Sequence, residues 1–374
     1  MKIRAAVLEA LGAPPPYAQS RPLAIREVEL DPPGAGEVLV RIRAAGLCHS
    51  DLSVVNGDRP RPVPMVLGHE SSAEVVECGA GVTDLRAGDH VVLVFVPSCG
   101  GCLPCAEGRP ALCEPGAAAN VAGALLGGER RLHRNGTALH HHIGVSCFAE
   151  YAVVSRRSCV KIDTGITHRE AALFGCAVLT GAGAVINTAR VAAGQSVAVI
   201  GLGGVGLSSL LAAVAAGARE VVAVDLHDEK LALAQTLGAT ATVNASQPDA
   251  AERIRELTRG GVDAAFEMAG STAAFELAYR ITRRGGQTVT AGLPNPAARF
   301  ALPVAQLVGE ERTLRGSYIG SAVPLRDIPR YIDLYRRGRL PVDRLMGRTL
   351  ALDDINDALD RLAAGHALRD VVLF

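Results

Sequence analysis

The 374-residue chain has no excess of charge of either sign: Lys plus Arg total 38 and Asp plus Glu total 38, a net charge of +0. A protein that grips a phosphate backbone carries a basic surplus or stripe, so nucleic acid is excluded as the main partner. Long apolar runs are missing as well. The longest weakly polar stretch, 207–218, is 12 residues with two serines and a glycine, against the roughly 20 that a bilayer crossing needs. No membrane partner is expected. No export signal stands at the start, because the apolar stretch that follows Lys2 is cut short at Glu9 and reads as a first strand. The nine cysteines are therefore expected in a reducing cytoplasm, where clustered thiols mean metal or catalysis more often than disulfides. Tandem repeats and low-complexity tracts are absent. What is present is a large apolar fraction, 49% against 20% charged, which rules out disorder and supports two domains at this length.

Two textures divide the chain. Up to about residue 175, short β-branched runs (37–43, 72–77, 90–96, 149–154) alternate with Gly- and Pro-rich loops such as 60–64, the pattern of a β-rich, barrel-like unit. From about 178 to 317 the pattern becomes short buried strand, glycine turn and Ala/Leu helix, repeated. Strands are expected at 196–201, 220–225, 264–267 and 287–292, and helices at 205–216 and 228–237. That is a doubly wound α/β domain. Helices at 325–337 and 352–364 and a closing strand at 369–374 complete the chain.

Gly201-Leu202-Gly203-Gly204-Val205-Gly206 fits G-x-G-x-x-G, and it directly follows the strand Ser196-Val197-Ala198-Val199-Ile200 and opens a helix. Gly201 permits the tight turn, Gly203 admits a pyrophosphate to the backbone, and Gly206 lets helix and strand pack closely. The helix N-terminus then meets the phosphate charge. Asp225 ends the next strand, 225 − 206 = 19 residues after Gly206, where a carboxylate binds ribose hydroxyls and repels a 2′-phosphate. NAD is therefore expected over NADP. Lys230, in the following helix, is either a second ribose contact or a solvated lysine.

Cys99-x2-Cys102-x2-Cys105-x7-Cys113 offers four thiolates at short spacing in a Gly/Pro-rich loop. They can close a tetrahedron around zinc and leave no position for water, which makes a structural site. An iron–sulfur cluster is the competing metal, but no proline follows Cys113 directly and no second cluster motif exists. A second set is dispersed: Cys48 in Gly46-Leu47-Cys48-His49-Ser50-Asp51, His69 in Gly68-His69-Glu70, and Cys176 in Phe174-Gly175-Cys176. Taken singly, each is more often a core residue. Together, two thiolates and an imidazole leave one zinc position open, as a catalytic zinc requires.

Read together, these motifs resemble one family, the zinc-dependent medium-chain alcohol dehydrogenases (medium-chain dehydrogenase/reductase type). The resemblance runs almost end to end, through Cys48–Asp51, Gly68-His69-Glu70, Gly79-x-Gly81-Val82 to Gly88-Asp89, the four-cysteine lobe, Gly175-Cys176, the glycine turn with Asp225, and Arg369. It is nearest the longer, animal-type branch, because an extended loop fills 113–141. The resemblance implies a GroES-like β-rich catalytic domain from 1–177 and 320–374, with a structural-zinc lobe at 95–115. A Rossmann NAD-binding domain would cover 178–319, with the active site in the cleft between the two. It implies two Zn2+ per chain, one structural and one catalytic, the latter held by Cys48, His69 and Cys176. Asp51 would orient His69, and Glu70 would lie behind the metal. His49 and Arg369 would contact the cofactor phosphates, while Thr180 and Val205 would support the nicotinamide and Gly204 would complete the turn. The implied chemistry is reversible: zinc lowers the pKa of an alcohol, Ser50 takes its proton, and hydride passes to NAD. A homodimer is implied, with a homotetramer as the alternative.

The sequence departs from the family in informative places. Relatives complete the proton relay with a histidine three residues after the serine; here that position is Ser53, so His49 or water is expected to finish the relay. Phe95, His142, Ile143 and Leu293 match pocket positions, while Arg59 and Ala118 fall where larger apolar side chains often sit. A small residue at 118 favours aromatic or bulky alcohols over ethanol. The glutathione-dependent formaldehyde-oxidising branch holds glutathione with an acidic residue and an arginine, where this chain has Arg59 and Ala117, which disfavours that activity. His140-His141-His142 reads as a loop returning to the β unit, and Cys78, Cys147 and Cys159 as buried free thiols. Rival readings are a polyol or thiol-adduct formaldehyde dehydrogenase, and a non-catalytic NAD- and zinc-binding protein. The last is weakened because Cys48, His69, Cys176 and Ser50 are all kept.

Overall fold

The N-terminal run alternates as a half-buried strand should: Lys2 and Arg4 face solvent while Ile3, Ala5 and Val7 are buried. In the computed structural model, which describes residues 1–365 and 368–374, Lys2–Leu8 pairs antiparallel with Leu23–Leu30 from Lys2↔Glu29 to Leu8↔Leu23. The chain divides into two units. One comprises Met1–Cys176, Val323–Ile332 and Met346–Phe374, the other Ala177–Ala322 and Asp333–Leu345. The second unit thus takes in Asp333–Leu345, which interrupts the continuous catalytic tail expected over 320–374. Among the described residues, no single helix is long and apolar enough to cross a membrane.

The first unit is built on two sheets. A six-stranded sheet sets Leu23–Leu30 and Lys2–Leu8 beside Met65–Val66 and His140–His141. The second runs Cys159–Ile162, His90–Leu93, Glu70–Cys78, Glu37–Gly46, Arg369–Leu373, Met346–Leu350, with Tyr151–Ser155 also on Glu37–Gly46. Ile3, Val7, Val28, Leu39, Val66 and Val153 share one core. The long strand Glu37–Gly46 is the organiser. It delivers Cys48 just past its end, pairs along its length with Glu70–Cys78, and receives the C-terminal strand at Val371↔Gly46. Residues from opposite ends of the sequence meet at that point.

The second unit is a parallel sheet in the order Ala241–Asn244, Glu220–Asp225, Ser196–Ile200, Val262–Glu267, Thr282–Thr290, Thr313–Gly316. Its inner strands are apolar on both faces, as parallel strands covered by helices must be. In chain order this is 3-2-1-4-5-6, and the order reverses between Ser196–Ile200 and Val262–Glu267. Dinucleotides bind in the crevice at such a reversal.

Candidate metal centres and nucleotide turn

The four-cysteine lobe forms as its spacing requires. The short helix Leu103–Ala106 and the turn Pro110–Leu112 fold the loop back, and the sulfurs of Cys99, Cys102, Cys105 and Cys113 all lie within 4.8 Å of one another. Backbone amides already point at them. Cys99 Sγ accepts from Gly101 N at 3.4 Å and Cys102 N at 3.3 Å, and Cys113 Sγ accepts from Cys99 N at 3.1 Å and Gly116 N at 3.4 Å. The amides of Gly101 and Cys102 pull the Cys99 thiol down to about 6. Four converging sulfurs, with N–H groups turned to stabilise negative charge on them, fit a tetrahedral metal.

The dispersed set also converges. Cys48 sits at the N-terminus of the helix His49–Val55, where Asp51 Oδ2 accepts its backbone N–H at 3.1 Å. His69 follows Gly68, whose φ of +92° and position, where a Cβ would lie 2.5 Å from Phe148 N, admit only glycine. Cys176 directly precedes the helix Ala177–Gly183. The sulfurs of Cys48 and Cys176 and a ring nitrogen of His69 lie within 4.8 Å of one another, and all three residues are buried. His69 Nδ1 stands 3.0 Å from Asp51 Oδ1, while its Nε2 is buried with no hydrogen-bond partner. The Cys176 thiol donates toward Cys48 and holds the Cys48 thiol well below its ordinary value. A lone pair left unused on a buried imidazole, facing two sulfurs, fits zinc with one position open.

Around this set the other expected residues are placed as follows. Glu70 is fully buried and faces Arg369, whose Nη1 lies 3.2 Å from Glu70 Oε2 and donates to Leu47 O at 2.6 Å. Arg369, expected to contact a cofactor phosphate, is thus 4% exposed and turned on internal partners. Ser50 is half-buried, with its Oγ 3.7 Å from Cys48 Sγ; His49 is exposed. The Ser53 hydroxyl donates to the His49 carbonyl at 2.9 Å, one turn back within the same helix. Phe95 packs edge-on against the His69 ring at a centroid distance of 5.1 Å. Of the other pocket positions, Arg59 is half-buried, Ala118 is exposed on the helix Glu114–Ala122, and Leu293 is exposed in the second unit.

Three side chains behave differently from expectation. His142 is more than a loop or wall residue: it is buried against His69 with centroids 5.4 Å apart, and its Nδ1 lies 3.3 Å from Asp51 Oδ1. Cys78 is half-buried, not buried; Cys147 and Cys159 are buried, which pushes both thiols up. Asn120 was missed altogether. Its Nδ2 donates to the Phe95 carbonyl at 2.7 Å and its backbone carbonyl accepts from Arg61 at 3.2 Å, tying the helix Glu114–Ala122 to the aromatic beside His69. An asparagine in an Ala-rich segment was the available signal.

In the second unit the glycines divide their work. Gly201 has φ +91°, and a Cβ there would lie 2.7 Å from Ala269 N. A Cβ on Gly206 would overlap the Gly201 carbonyl, whereas one on Gly203 would meet nothing within 4 Å. Open space therefore lies at Gly203, at the N-terminus of the helix Gly204–Ala215, where a phosphate is best held. Asp225 is buried, its Oδ2 accepting from Leu202 N at 2.6 Å and its Oδ1 from His227 N at 3.0 Å. Each oxygen keeps a lone pair. Thr180 is buried on the helix Ala177–Gly183, and that helix packs closely on Gly204–Ala215 at Gly181, whose carbonyl accepts from Ser209 Oγ at 3.0 Å. Lys230 is half-buried on the helix Asp228–Thr236.

The chain is similar to known proteins along its whole length. The family described as "Alcohol dehydrogenase GroES-like domain" matches residues 34–164, and "Zinc-binding dehydrogenase" matches residues 204–337. The chain is 38% identical over 376 residues to S-(hydroxymethyl)glutathione dehydrogenase of Synechocystis sp., covering 100% of each chain. Benzyl alcohol dehydrogenase from Acinetobacter calcoaceticus superposes with a TM-score of 0.93 at 34% identity, covering 100% of this chain and 99% of that one. A zinc-binding dehydrogenase from Sinorhizobium meliloti 1021, bound to NADP, superposes with a TM-score of 0.80 at 27% identity over 100% of both chains.

Proposed function

The chain belongs to the zinc-dependent medium-chain alcohol dehydrogenases, oxidoreductases that use zinc and a nicotinamide cofactor, and on that premise we propose that it interconverts bulky or aromatic alcohols and their aldehydes or ketones, with NAD as the cofactor. The observation that carries the chemistry is the buried, unpartnered Nε2 of His69 facing the sulfurs of Cys48 and Cys176. When bound, zinc supplies the Lewis acidity that lowers an alcohol's pKa, and the nicotinamide accepts the hydride.

The chain's own residues do the rest. Asp51 holds the Nδ1–H tautomer of His69, so that Nε2 keeps its lone pair for the metal. Ser50, beside Cys48, takes the alcohol proton, and exposed His49 or water carries it to solvent. Cys99, Cys102, Cys105 and Cys113 hold the structural ion. Gly203 and the helix behind it receive the pyrophosphate; Asp225, with Lys230 nearby, receives the adenosine ribose and disfavours a 2′-phosphate. Thr180 and Val205 support the nicotinamide, and Arg369, through its pairing with Glu70, backs the metal site.

Substrate class rests on Ala118, which puts only a methyl group on the exposed side of its helix, and on the benzyl alcohol dehydrogenase neighbour. The second reading is oxidation of a glutathione–formaldehyde adduct, favoured by the name of the Synechocystis relative and opposed by Arg59 and Ala117. We propose a homodimer over a homotetramer. The nine free thiols fit a reducing, cytoplasmic setting.

The deciding assay follows NADH at 340 nm with ethanol, hexanol, benzyl alcohol, a terpenoid alcohol, and glutathione plus formaldehyde, each before and after zinc chelation and with NADP in parallel. The expected result is chelator-sensitive NADH formation, fastest on benzyl or terpenoid alcohol and slower with NADP. Turnover confined to the glutathione adduct would establish the second reading. No turnover in protein holding two zinc ions per chain would favour a non-catalytic role.

A further inference from the structure

Asp51 is fully buried, and its carboxylate is hydrogen-bonded from two directions and approached from a third. Oδ2 accepts the Cys48 backbone N–H at 3.1 Å, and Oδ1 faces His69 Nδ1 at 3.0 Å and His142 Nδ1 at 3.3 Å. The two rings stand at 89° to each other, and Phe95 stands at 90° to His69. His69 is thereby enclosed by Asp51, Phe95 and His142.

His142 is held there by a purpose-built loop. Its backbone N–H donates to Ser146 Oγ at 2.8 Å, and that hydroxyl donates to the Val66 carbonyl at 2.8 Å. Ile143 and Ser146 take φ values of 41° and 54°. A β-branched residue rarely holds the left-handed conformation, so the loop bears strain while delivering His142. The approach to Asp51 is off the hydrogen-bond axis, and the buried Nδ1 makes no formed bond. What acts across the 3.3 Å is the attraction of an N–H dipole for a carboxylate in a site from which water is excluded.

We propose that His142 is a positioning residue of the metal centre: by sharing Asp51 with His69 it fixes the carboxylate that orients the ligand, and so sets how tightly the catalytic zinc is held. This rests on Cys48, His69 and Cys176 being the ligands of that ion. A hydrocarbon ring at position 142 fills the same space but leaves the carboxylate only the Cys48 N–H and His69 to face. Asp51 then gains freedom to rotate, and His69 with it. Loss of such an outer partner weakens metal binding by roughly 10–100-fold.

The test measures affinity for the second zinc ion by competition with a chromophoric chelator, on protein that retains its four-cysteine ion. His142→Phe is expected to bind 10–100-fold more weakly. His142→Asn, whose Nδ2 replaces Nδ1, is expected to recover most of that loss. In an Asp51→Asn background His142→Phe should cost less than about 2-fold more, because residues acting through one another are non-additive. Thermal unfolding and retention of the four-cysteine ion check the fold; should His142→Phe not fold, His142→Leu takes its place. Equal affinity of wild type and His142→Phe, or an equal loss in both backgrounds, would overturn the proposal. If Cys176→Ser binds the second ion as wild type does, the ligand assignment itself fails and His142 falls with it.

Discussion

Ser50 and His49 sit side by side on the first turn of the helix His49–Val55, one half-buried beside Cys48 and the other exposed. A step from half-buried hydroxyl to solvent is what the proposed release of an alcohol proton needs. Ser50→Ala should lower kcat by roughly 10²–10³, within the range of general acid–base catalysis, with zinc content and NADH binding unchanged. His49→Gln should move the lower pKa of the pH–rate profile if the imidazole carries the proton; an unchanged profile would assign that step to water. Ser53 cannot stand in for a relay histidine, since its hydroxyl is spent on the His49 carbonyl. A different histidine governs stability. His141 is fully buried, and burial, followed by repulsion from Arg130 and Arg131, pushes it down to about 3 from 6.5. The folded chain keeps it neutral while the unfolded chain takes the proton first. Its contribution is therefore intact above pH 6.5 and is lost as pH falls toward 3. His141→Gln, which retains an acceptor for the Arg131 amide, should remove about 2 kcal/mol of the stability lost between pH 6.5 and pH 5, at roughly 1.4 kcal/mol per pH unit. Denaturant midpoints of both proteins at pH 7 and pH 5 would show it.

At the scale of elements, the strand-to-helix turn makes the sharpest distinction. Gly206 has no room for a methyl group because the Gly201 carbonyl occupies it, whereas Gly203 faces open space. Gly206→Ala should therefore destabilise the nucleotide unit by ~3 kcal/mol, as overpacking against backbone does. Gly203→Ala should leave thermal unfolding nearly unchanged while weakening NADH binding, read by fluorescence titration. Equal effects of the two on stability would mean that the space at Gly203 is not reserved for a ligand. This turn was legible in the sequence because the strand before it is apolar at every position and the glycines follow at once. The four-cysteine lobe was legible for a similar reason, since its whole ligand set falls within 15 residues, 113 − 99 + 1. Edge strands were not. Ala241–Asn244 and Thr313–Gly316 are short and partly exposed, and nothing in their composition separates them from loops. Nor was the contact of His142 with Asp51, residues separated by 142 − 51 = 91 positions. Pairing of Met65–Val66 with His140–His141 brings the tract to the candidate metal centre, and a register of two residues leaves no periodic trace.

Across the whole molecule, the two kinds of chemistry belong to different units. Cys48, His69, Cys176, Asp51 and all four lobe cysteines lie within the first; Thr180, the glycine turn, Asp225 and Lys230 lie within the second. The dispersed candidate metal ligands could be grouped from sequence only through family resemblance, because 69 − 48 = 21 and 176 − 69 = 107 residues obey no spacing rule. The fold gathers them by closing one sheet around Glu37–Gly46, whose pairing brings in Glu70–Cys78 and Arg369–Leu373. The nucleotide turn depends on none of that sheet: its glycines, Asp225 and the helix N-terminus are fixed by hydrogen bonds inside the second unit. Removing the catalytic zinc should therefore abolish alcohol oxidation while changing the Kd for NADH by less than about 3-fold, under ~0.7 kcal/mol. Chelation followed by parallel NADH titration and 340 nm assay would test this, with zinc per chain measured in the same sample. If NADH affinity collapsed together with turnover, while the four-cysteine ion was retained, the nucleotide unit would be shown to need the metal centre for its own ligand. The division of labour argued from the separate geometries would then be wrong.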